Sequence, residues 1–397
     1  MERTIVGIDV GTSKVCTLVG QAADGGMLRI TGVGIVPSQG VRKGVITDLE
    51  EASRAIQESV QRAERVSGHT IAEAYVSVGG AHIASQNNHG AAAIGRGDRP
   101  VDRDDIARAM EAAQAIVLPH NRRIIHALPR SYSLDHQDGI HNPIGLMGYR
   151  LEVEAHMVTG AETSMQNLRR CVGMCGIEVT EMVLQPLAAA EAVLTEDERK
   201  QGVALVDIGG GTTDITLFVD GSAWQTVVCP IGGNHVTNDV AVGLRTPWAT
   251  AEDVKTRYAQ VGTPSVTGEV IEIATFGGSA LQTISRQELC EIVALRAEEV
   301  VEMIGRELKR SGLDSLLSAG VVLTGGTAKL RGLRELAERR LGLPVRVGAP
   351  TGMQGLVEAI SSPSYAASVG LLLWGMHQET TGREEVLSAS GSSWRER

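Results

Sequence analysis

Aromatic residues make up only 3% of this 397-residue chain, and acidic residues outnumber basic ones, leaving a formal net charge of -10. Binding nucleic acid by phosphate neutralisation needs a basic stripe, and gripping single strands needs stacking platforms, so no nucleic-acid partner is expected. Long apolar runs are missing too. No stretch approaches the ~20 residues of a spanning helix, and Met1 to Gly20 lacks the basic start and apolar core of a signal peptide, so the expected site of action is cytoplasmic. The five cysteines, at 16, 171, 175, 229 and 290, are odd in number and lack a framework spacing, as expected of reduced thiols. Cys171 and Cys175, four apart in an expected helix, read as a core-face pair, because no second pair matches them for a metal-thiolate site. His136, His141 and His156 share one region, where loop or solvent-facing roles are expected.

What the chain does have is glycine in organised places. Val206-Asp207-Ile208-Gly209-Gly210-Gly211-Thr212-Thr213-Asp214-Ile215-Thr216-Leu217 runs from one apolar strand through a glycine turn into another, a tight hairpin. Three glycines remove every Cβ from the turn, so backbone N–H groups can cradle anionic oxygens, and the threonine hydroxyls add neutral donors. A carboxylate beside a phosphate repels it unless a cation intervenes. Asp207 therefore implies a divalent metal, most plausibly magnesium.

The pattern occurs twice. Val6-Gly7-Ile8-Asp9-Val10-Gly11-Thr12-Ser13-Lys14-Val15 repeats the order strand, Asp, apolar, Gly, hydroxyl residues, strand. Each hairpin is followed by an Asp-Gly turn (Asp24-Gly25 and Asp220-Gly221), a third strand (Ile30 to Val36 and Trp224 to Cys229) and a helix (Leu49 to Val66 and Asn234 to Leu244). Duplicated halves predict two similar lobes with both hairpins facing one cleft. A third glycine element, Val321-Val322-Leu323-Thr324-Gly325-Gly326-Thr327-Ala328-Lys329-Leu330, passes from a strand into a helix over Leu330 to Arg340 and offers flat backbone to a ring or ribose. In this order the three elements look like the phosphate 1, phosphate 2 and adenosine motifs of the actin, Hsp70 and sugar-kinase ATPase superfamily.

Between the motifs, Thr47 or Asp48 caps the first long helix, and Ala74 to Val78 is a strand. From Ser85 to Thr159 the texture changes to short strands around a helix with Ile106, Met110 and Ala113 on one face, a separate small domain. Gln185-Pro186 opens an alanine-rich helix that joins the lobes, with Gln185 within reach of a cleft water. Glu196 to Lys200 reads as a solvated turn. Ala251 to Tyr258 is an acidic-start helix on which Glu252 and Lys255 form either a surface ion pair or part of a nucleoside contact. Glu288 to Arg310 is a long helix whose apolar stripe is mostly core.

The linking stretches narrow the resemblance. Gly7 to Val15, Pro37-Ser38-Gln39-Gly40, Lys43 to Asp48, Asn142-Pro143-Ile144-Gly145-Leu146, Arg150-Leu151-Glu152-Val153 and Gly232-Gly233-Asn234-His235-Val236-Thr237-Asn238-Asp239 resemble the FtsA family of bacterial actin-like cell-division proteins, over nearly the whole length. The resemblance implies an α/β, actin-like ATPase fold of two duplicated RNase H-like lobes around a nucleotide cleft, with a small FtsA-type insert. The expected division is subdomain 1A over 1–84 and 160–195, the insert 1C over 85–159, 2A over 196–228 and 313–379, 2B over 229–312, and a tail over 380–397.

It also implies ATP and magnesium as cofactors. Asp9, Gln185 and Asp207 would surround magnesium through water, with Gln185 and Asp207 also positioning a water for any hydrolysis, which would be slow. Gly11, Thr12, Ser13 and Lys14 would hold one side of the phosphates, and Gly209, Gly210, Gly211, Thr212 and Thr213 the other. Glu252, Lys255, Gly325, Gly326 and Thr327 would hold the nucleoside. The implied partners are the acidic C-terminal peptide of FtsZ, with Arg296 the candidate contact, further copies in a filament, later division proteins and the inner membrane surface. Thr380 to Ser393 is expected to be a linker. The four residues Trp394-Arg395-Glu396-Arg397 are too few for a stable amphipathic helix, so membrane attachment is implied by the resemblance alone. The alternative is a pilus-assembly actin homologue or another ATPase or kinase of the superfamily. A kinase would need a general base beyond the metal-linked acids.

Overall fold

The computed structural model describes residues 4–22, 27–95, 99–262, 268–276 and 281–391, with side chains as far as residue 378. The Asp24-Gly25 turn and the Trp394 to Arg397 terminus lie outside the described residues.

The first lobe opens with β1 (Thr4–Val10), β2 (Lys14–Ala22) and β3 (Leu28–Pro37), followed by a small ribbon, β4 (Val41–Arg42) and β5 (Val45–Ile46). Next come α1 (Leu49–Ser67) and β6 (Glu73–Val78). Asp48 is the cap of α1, accepting the Glu51 N–H, and Gly68 closes the helix in the left-handed region. The insert then supplies β7 (Ala84–Ala93), α2 (Arg103–Gln114), β8 (Arg122–Leu134), β9 (Gln137–Ile140) and β10 (Arg150–Ala161). The chain returns through α3 (Glu162–Gly173), β11 (Glu178–Leu184), α4 (Gln185–Val193) and α5 (Glu196–Gln201). The expected solvated turn at Glu196 to Lys200 is thus a short helix, because Thr195 and Glu198 form a reciprocal capping box at its start.

The second lobe repeats the plan with β12 (Val203–Ile208), β13 (Thr213–Val219), β14 (Ser222–Cys229) and α6 (Gly233–Gly243). After it come α7 (Trp248–Tyr258), β15 (Val270–Ala274), β16 (Leu281–Ser285), α8 (Arg286–Ser311) and β17 (Val321–Thr324), then α9 (Leu333–Leu341), β18 (Val345–Val347), β19 (Met353–Gly355) and α10 (Ala366–Gly391). Two differences from expectation concern helix starts. Helix α7 begins at Trp248, after Pro247, so its first turn carries no acid. A 3-10 turn over Thr327–Lys329 delays α9 to Leu333.

Duplication is visible in the sheets. Their orders are β11-β6-β1-β2-β3-β19 in the first lobe and β14-β13-β12-β17-β18 in the second. In each, three antiparallel strands are continued by two parallel ones. The insert is its own sheet, β7-β10-β8-β9, covered by α2, with Ala109, Ala113, Leu151, Val153 and Met157 buried between them. Helices α6, α7 and α8 enclose a further core of Val236, Val240, Leu289 and Val293 with β15 and β16.

One expected boundary is corrected. Residues 313–379 do not all belong to the second lobe, because β19 pairs with β3 and α10 packs on α4 and β1. Val369, Leu371 and Leu372 are completely buried there, and each contributes about 2 kcal/mol by leaving water. Helix α10 also continues to Gly391, where a linker from Thr380 was expected; its Arg383-Glu384-Glu385-Val386-Leu387 stretch is made of residues that mostly suit a helix.

The insert reaches both lobes. Its β7 meets the β14 edge, where the Ser85 hydroxyl donates to the Thr226 carbonyl at 2.7 Å and accepts the Thr226 N–H at 3.3 Å. The Arg130 guanidinium lies 4.0 Å from the Trp224 ring centroid. His156, expected in a loop or facing solvent, is instead buried on β10 between Asn87 and Thr226, because β10 turns it to the sheet face away from α2, which β14 of the second lobe covers. His136 and His141 are exposed as expected.

Candidate functional site

The β1–β2 and β12–β13 hairpins end in equivalent four-residue loops. The Gly11 N–H donates to the Lys14 carbonyl at 3.0 Å, and the Gly209 N–H donates to the Thr212 carbonyl at 2.9 Å. Register then fixes the acids: Asp9 is opposite Cys16, and Asp207 is opposite Asp214. The two loops face each other closely. A Cβ on Gly210 would sit 2.1 Å from the Ser13 hydroxyl, which would have to rotate away to admit it. The N-terminus of α6 engages the back of the second loop, Gly233 and Asn234 donating to the carbonyls of Gly209 and Gly210 at 2.9 and 2.8 Å.

Between the loops is a cavity of about 100 Å³ lined by Asp9, Gly11, Thr12, Ser13, Lys14, Gln185, Asp207, Gly209, Gly210, Gly211, Thr212, Asp214, Gly325 and Gly326. Every residue assigned to magnesium or the phosphates is therefore in one place except Thr213. Thr213 is buried, and its hydroxyl donates to the Ile231 carbonyl at 2.8 Å, because alternation along β13 turns it to the face opposite its neighbours.

Asp9 is held from three sides. Its Oδ1 accepts from the Ser77 hydroxyl at 2.7 Å and from Gln185 Nε2 at 3.1 Å, and its Oδ2 accepts from the Ser368 hydroxyl at 2.8 Å. Asp207 has its pKa raised to about 6 by burial and then by the charge of Asp9, with Lys14 acting in the other direction. Gly325, at φ +87, lets backbone pass where a Cβ would be 2.3 Å from Asp207 Oδ1. Asp214 is pushed up to about 8 by burial and by Asp207, against one Thr212 hydrogen bond. Its Oδ1 has no hydrogen-bond partner among the described residues.

Three carboxylates around one cavity, one of them with an orphaned oxygen, fit a divalent cation. Among the described residues no group of three acidic, histidine or cysteine side chains is placed to hold a metal ion directly; these acids would reach a cation through its water. Lys14 completes the electrostatics, with Nζ 2.5 Å from the Ser364 carbonyl and 4.9 Å from the Tyr365 ring centroid.

A second cavity of about 340 Å³ adjoins the first and shares Ser13, Lys14, Gly210, Gly326 and Ser364 with it. Glu252, Lys255, Thr327 and Tyr365 line it as well. Lys255 Nζ donates to Glu252 Oε2 at 2.7 Å, to the Thr237 hydroxyl at 2.8 Å and to the Gly233 carbonyl at 3.3 Å. The two side chains form an ion pair and line the cavity. Thr327 ties the glycine turn after β17 to the second loop by donating to the Gly209 carbonyl at 3.0 Å.

Arg296 is elsewhere, on α8, where it forms a two-point pair with Asp239 at 2.6 and 3.0 Å and a third contact with Glu299 at 2.6 Å. Its side chain remains 26% exposed.

Comparison with known proteins gives this geometry a lineage. The chain is 44% identical to the cell division protein FtsA of Pseudomonas aeruginosa over 393 residues, covering 99% of this chain and 93% of that protein. It is 40% identical to FtsA of Neisseria meningitidis over 374 residues, 94% and 90% of the two chains. The chain belongs to the FtsA family of cell division proteins.

Two family models match, the cell division protein FtsA over residues 204–370 and the SHS2 domain inserted in FtsA over residues 80–159. The second covers β7 to most of β10, the small domain expected from the change of texture. Solved structures confirm the actin-like ATPase fold. A PilM–PilN type IV pilus biogenesis complex matches with a TM-score of 0.67 at 15% identity, covering 94% of this chain and 98% of that one. MreB5 of Spiroplasma citri bound to ADP matches with a TM-score of 0.56 at 16% identity, covering 97% and 98%.

Several residues of the site carry no role in the sequence reading. Asp214 was legible, since a four-residue loop after Asp207 sets the two opposite, but its separate weight was not. Ser77 and Ser368 were beyond reach, as ordinary serines that only the tertiary fold brings to Asp9.

Proposed function

We propose that this FtsA-family chain binds magnesium-ATP between its lobes, polymerises, and tethers filaments of FtsZ to the cytoplasmic face of the membrane at the division site, where later division proteins join. The observation that carries the reading is the pair of glycine hairpins facing each other across a cavity floored by Asp9, Asp207 and Asp214. Gly11 to Lys14 belong to one lobe and Gly209 to Thr212 to the other, so a phosphate chain held by both joins the lobes. Lys14 supplies positive charge, and the loops supply backbone and hydroxyl donors. Magnesium, when bound, offsets the charge shared by phosphates and carboxylates, with Asp9, Asp207 and Gln185 as the residues to hold it through water. Glu252, Lys255, Gly325, Gly326 and Thr327 hold the nucleoside. Gln185 and Asp207 are the residues to orient water, and hydrolysis is slow or regulatory.

The FtsZ C-terminal peptide is assigned to the α6–α8 face, with Arg296 as its contact. An acidic peptide there competes with Asp239 and Glu299 for the guanidinium. Among the described residues no helix is long and apolar enough to cross a membrane, and the attachment proposed is peripheral.

The test is electron microscopy of the full chain, with and without magnesium-ATP, on lipid monolayers and in solution. Nucleotide-dependent filaments on lipid support the whole reading. Filaments only in solution keep the actin-like polymer and remove membrane attachment from this chain. Absence of filaments in both settings overturns the proposal.

A further inference from the structure

We propose that His126, a residue of the inserted subdomain, is a positioning residue that holds the cation side of the nucleotide cleft in place. The proposal rests on the assignment of Asp9 and Gln185 to that cation.

His126 lies on β8, 6% exposed, where the insert meets the first lobe. Its Nε2 accepts the backbone N–H of Leu184 at 3.0 Å. Leu184 is the last residue of β11 and the cap of α4, a corner with no side-chain cap of its own. The next residue is Gln185, whose Nε2 donates to Asp9 Oδ1. The insert therefore fixes the backbone one residue before a group that holds Asp9.

The ring has a second neighbour. Its edge meets Trp374 of α10, with centroids 5.3 Å apart and planes at 62°. Trp374 is anchored by donating from Nε1 to Glu181 Oε2 at 3.1 Å, and Ser368, earlier on the same helix, donates to Asp9 Oδ2. One side chain of the insert thus touches two of the three elements that grip Asp9, the one that brings Gln185 to Oδ1 and the one that brings Ser368 to Oδ2. The hydrogen bond requires a lone pair on Nε2, so the ring is neutral with its proton on Nδ1, and burial holds it in that form by pushing its pKa down to about 4. An apolar residue could fill this space, but it would leave the Leu184 N–H buried without a partner. Through this contact, the orientation of the insert and the geometry at Asp9 become linked.

The experiment measures ATP affinity of the full chain by fluorescence titration, in magnesium and in excess chelator, for wild type, His126→Leu and His126→Gln. Leucine removes the acceptor, whereas the glutamine Oε1 restores one near the position of Nε2. The expected result is that His126→Leu loses about tenfold of the affinity gained from magnesium, the usual effect of removing an outer support of a metal site, while affinity in chelator stays within about twofold. His126→Gln recovers most of that loss. Hydrogen exchange at the Leu184 amide should quicken in His126→Leu and return towards wild type in His126→Gln. If His126→Leu does not fold, His126→Asn, too short to reach Leu184, takes its place with the same expectation.

Unchanged magnesium dependence in the acceptor-less variant overturns the proposal, as does equal loss in the leucine and glutamine variants. Wild-type protein whose ATP affinity ignores magnesium overturns the cation site itself, an outcome read from the wild-type titration alone.

Discussion

Asp207 and Asp214 stand directly opposite each other across the β12–β13 ladder, one half-buried and one buried carboxylate that share one cavity with Asp9. The protein tolerates this arrangement only at a cost in stability, since each negative charge raises the energy of the others and Asp214 Oδ1 lacks a hydrogen-bond donor. Such a concentration of charge is what the proposed magnesium would offset.

The first prediction follows. Asp207→Ala should weaken magnesium-ATP binding and filament formation together, by about tenfold or more in affinity, with the circular dichroism spectrum unchanged. Isothermal titration in magnesium and in chelator checks it. Equal affinity in both media for wild type and variant would remove Asp207 from the metal.

Asp214→Asn gives the opposite sign for stability. The amide keeps the shape, removes a buried carboxyl that must take up a proton on folding at neutral pH because its pKa is pushed up to about 8, and can donate towards the neighbouring carboxylate. The melting midpoint without nucleotide or metal should rise by about 1 °C, corresponding to roughly 1 kcal/mol in a chain of this length. Magnesium should protect the variant less than it protects wild type, which thermal denaturation at several magnesium concentrations reads directly.

The sequence disclosed the candidate site where its residues are close in the chain, and lost it where they are assembled at long range. The Asp-x-Gly loops identify themselves because a phosphate turn needs glycine and its acid within a few residues, and both loops came out in equivalent registers. Alternation along β13 was equally legible, yet Thr213 was read with the loop and lies behind it. Ser368 reaches Asp9 across most of the chain, and no spacing rule covers such a pair. The same reason hid the docking of α10 on the first lobe. Its apolar run fits either lobe, and only packing against α4 and β1 decides between them.

Two histidines of the insert make it acid-sensitive. His126 and His156 are buried and neutral, each pushed down to about 4 chiefly by burial, against an ordinary value of 6.5. In the unfolded chain they take up protons as pH falls through 6.5, whereas in the folded chain they resist until about pH 4. Unfolding therefore gains protons in this window, and stability, full above it, falls as pH drops through it, by roughly 1 kcal/mol per pH unit for each histidine. Urea denaturation between pH 7 and 4.5 should show the loss. His156→Gln, which preserves a polar link between Asn87 and Thr226, should flatten the slope.

Arg296 poses the last question, because its charge is already engaged. Asp239 takes two of its hydrogen bonds and Glu299 another, so the guanidinium is fixed in direction while a quarter of the side chain remains open. A fixed arginine binds an incoming carboxylate with less ordering cost than a free one, and its existing partners set a limit on the gain. Arg296→Ala should weaken binding of the FtsZ C-terminal peptide about tenfold, the worth of one charge-assisted hydrogen bond, in fluorescence anisotropy at low salt. Because Arg296 lines neither of the two cavities, ATP affinity should not change. A variant that loses ATP and keeps the peptide would place Arg296 in the support of the nucleotide pocket, through Asp239 and α6, and move the peptide to another face of the second lobe.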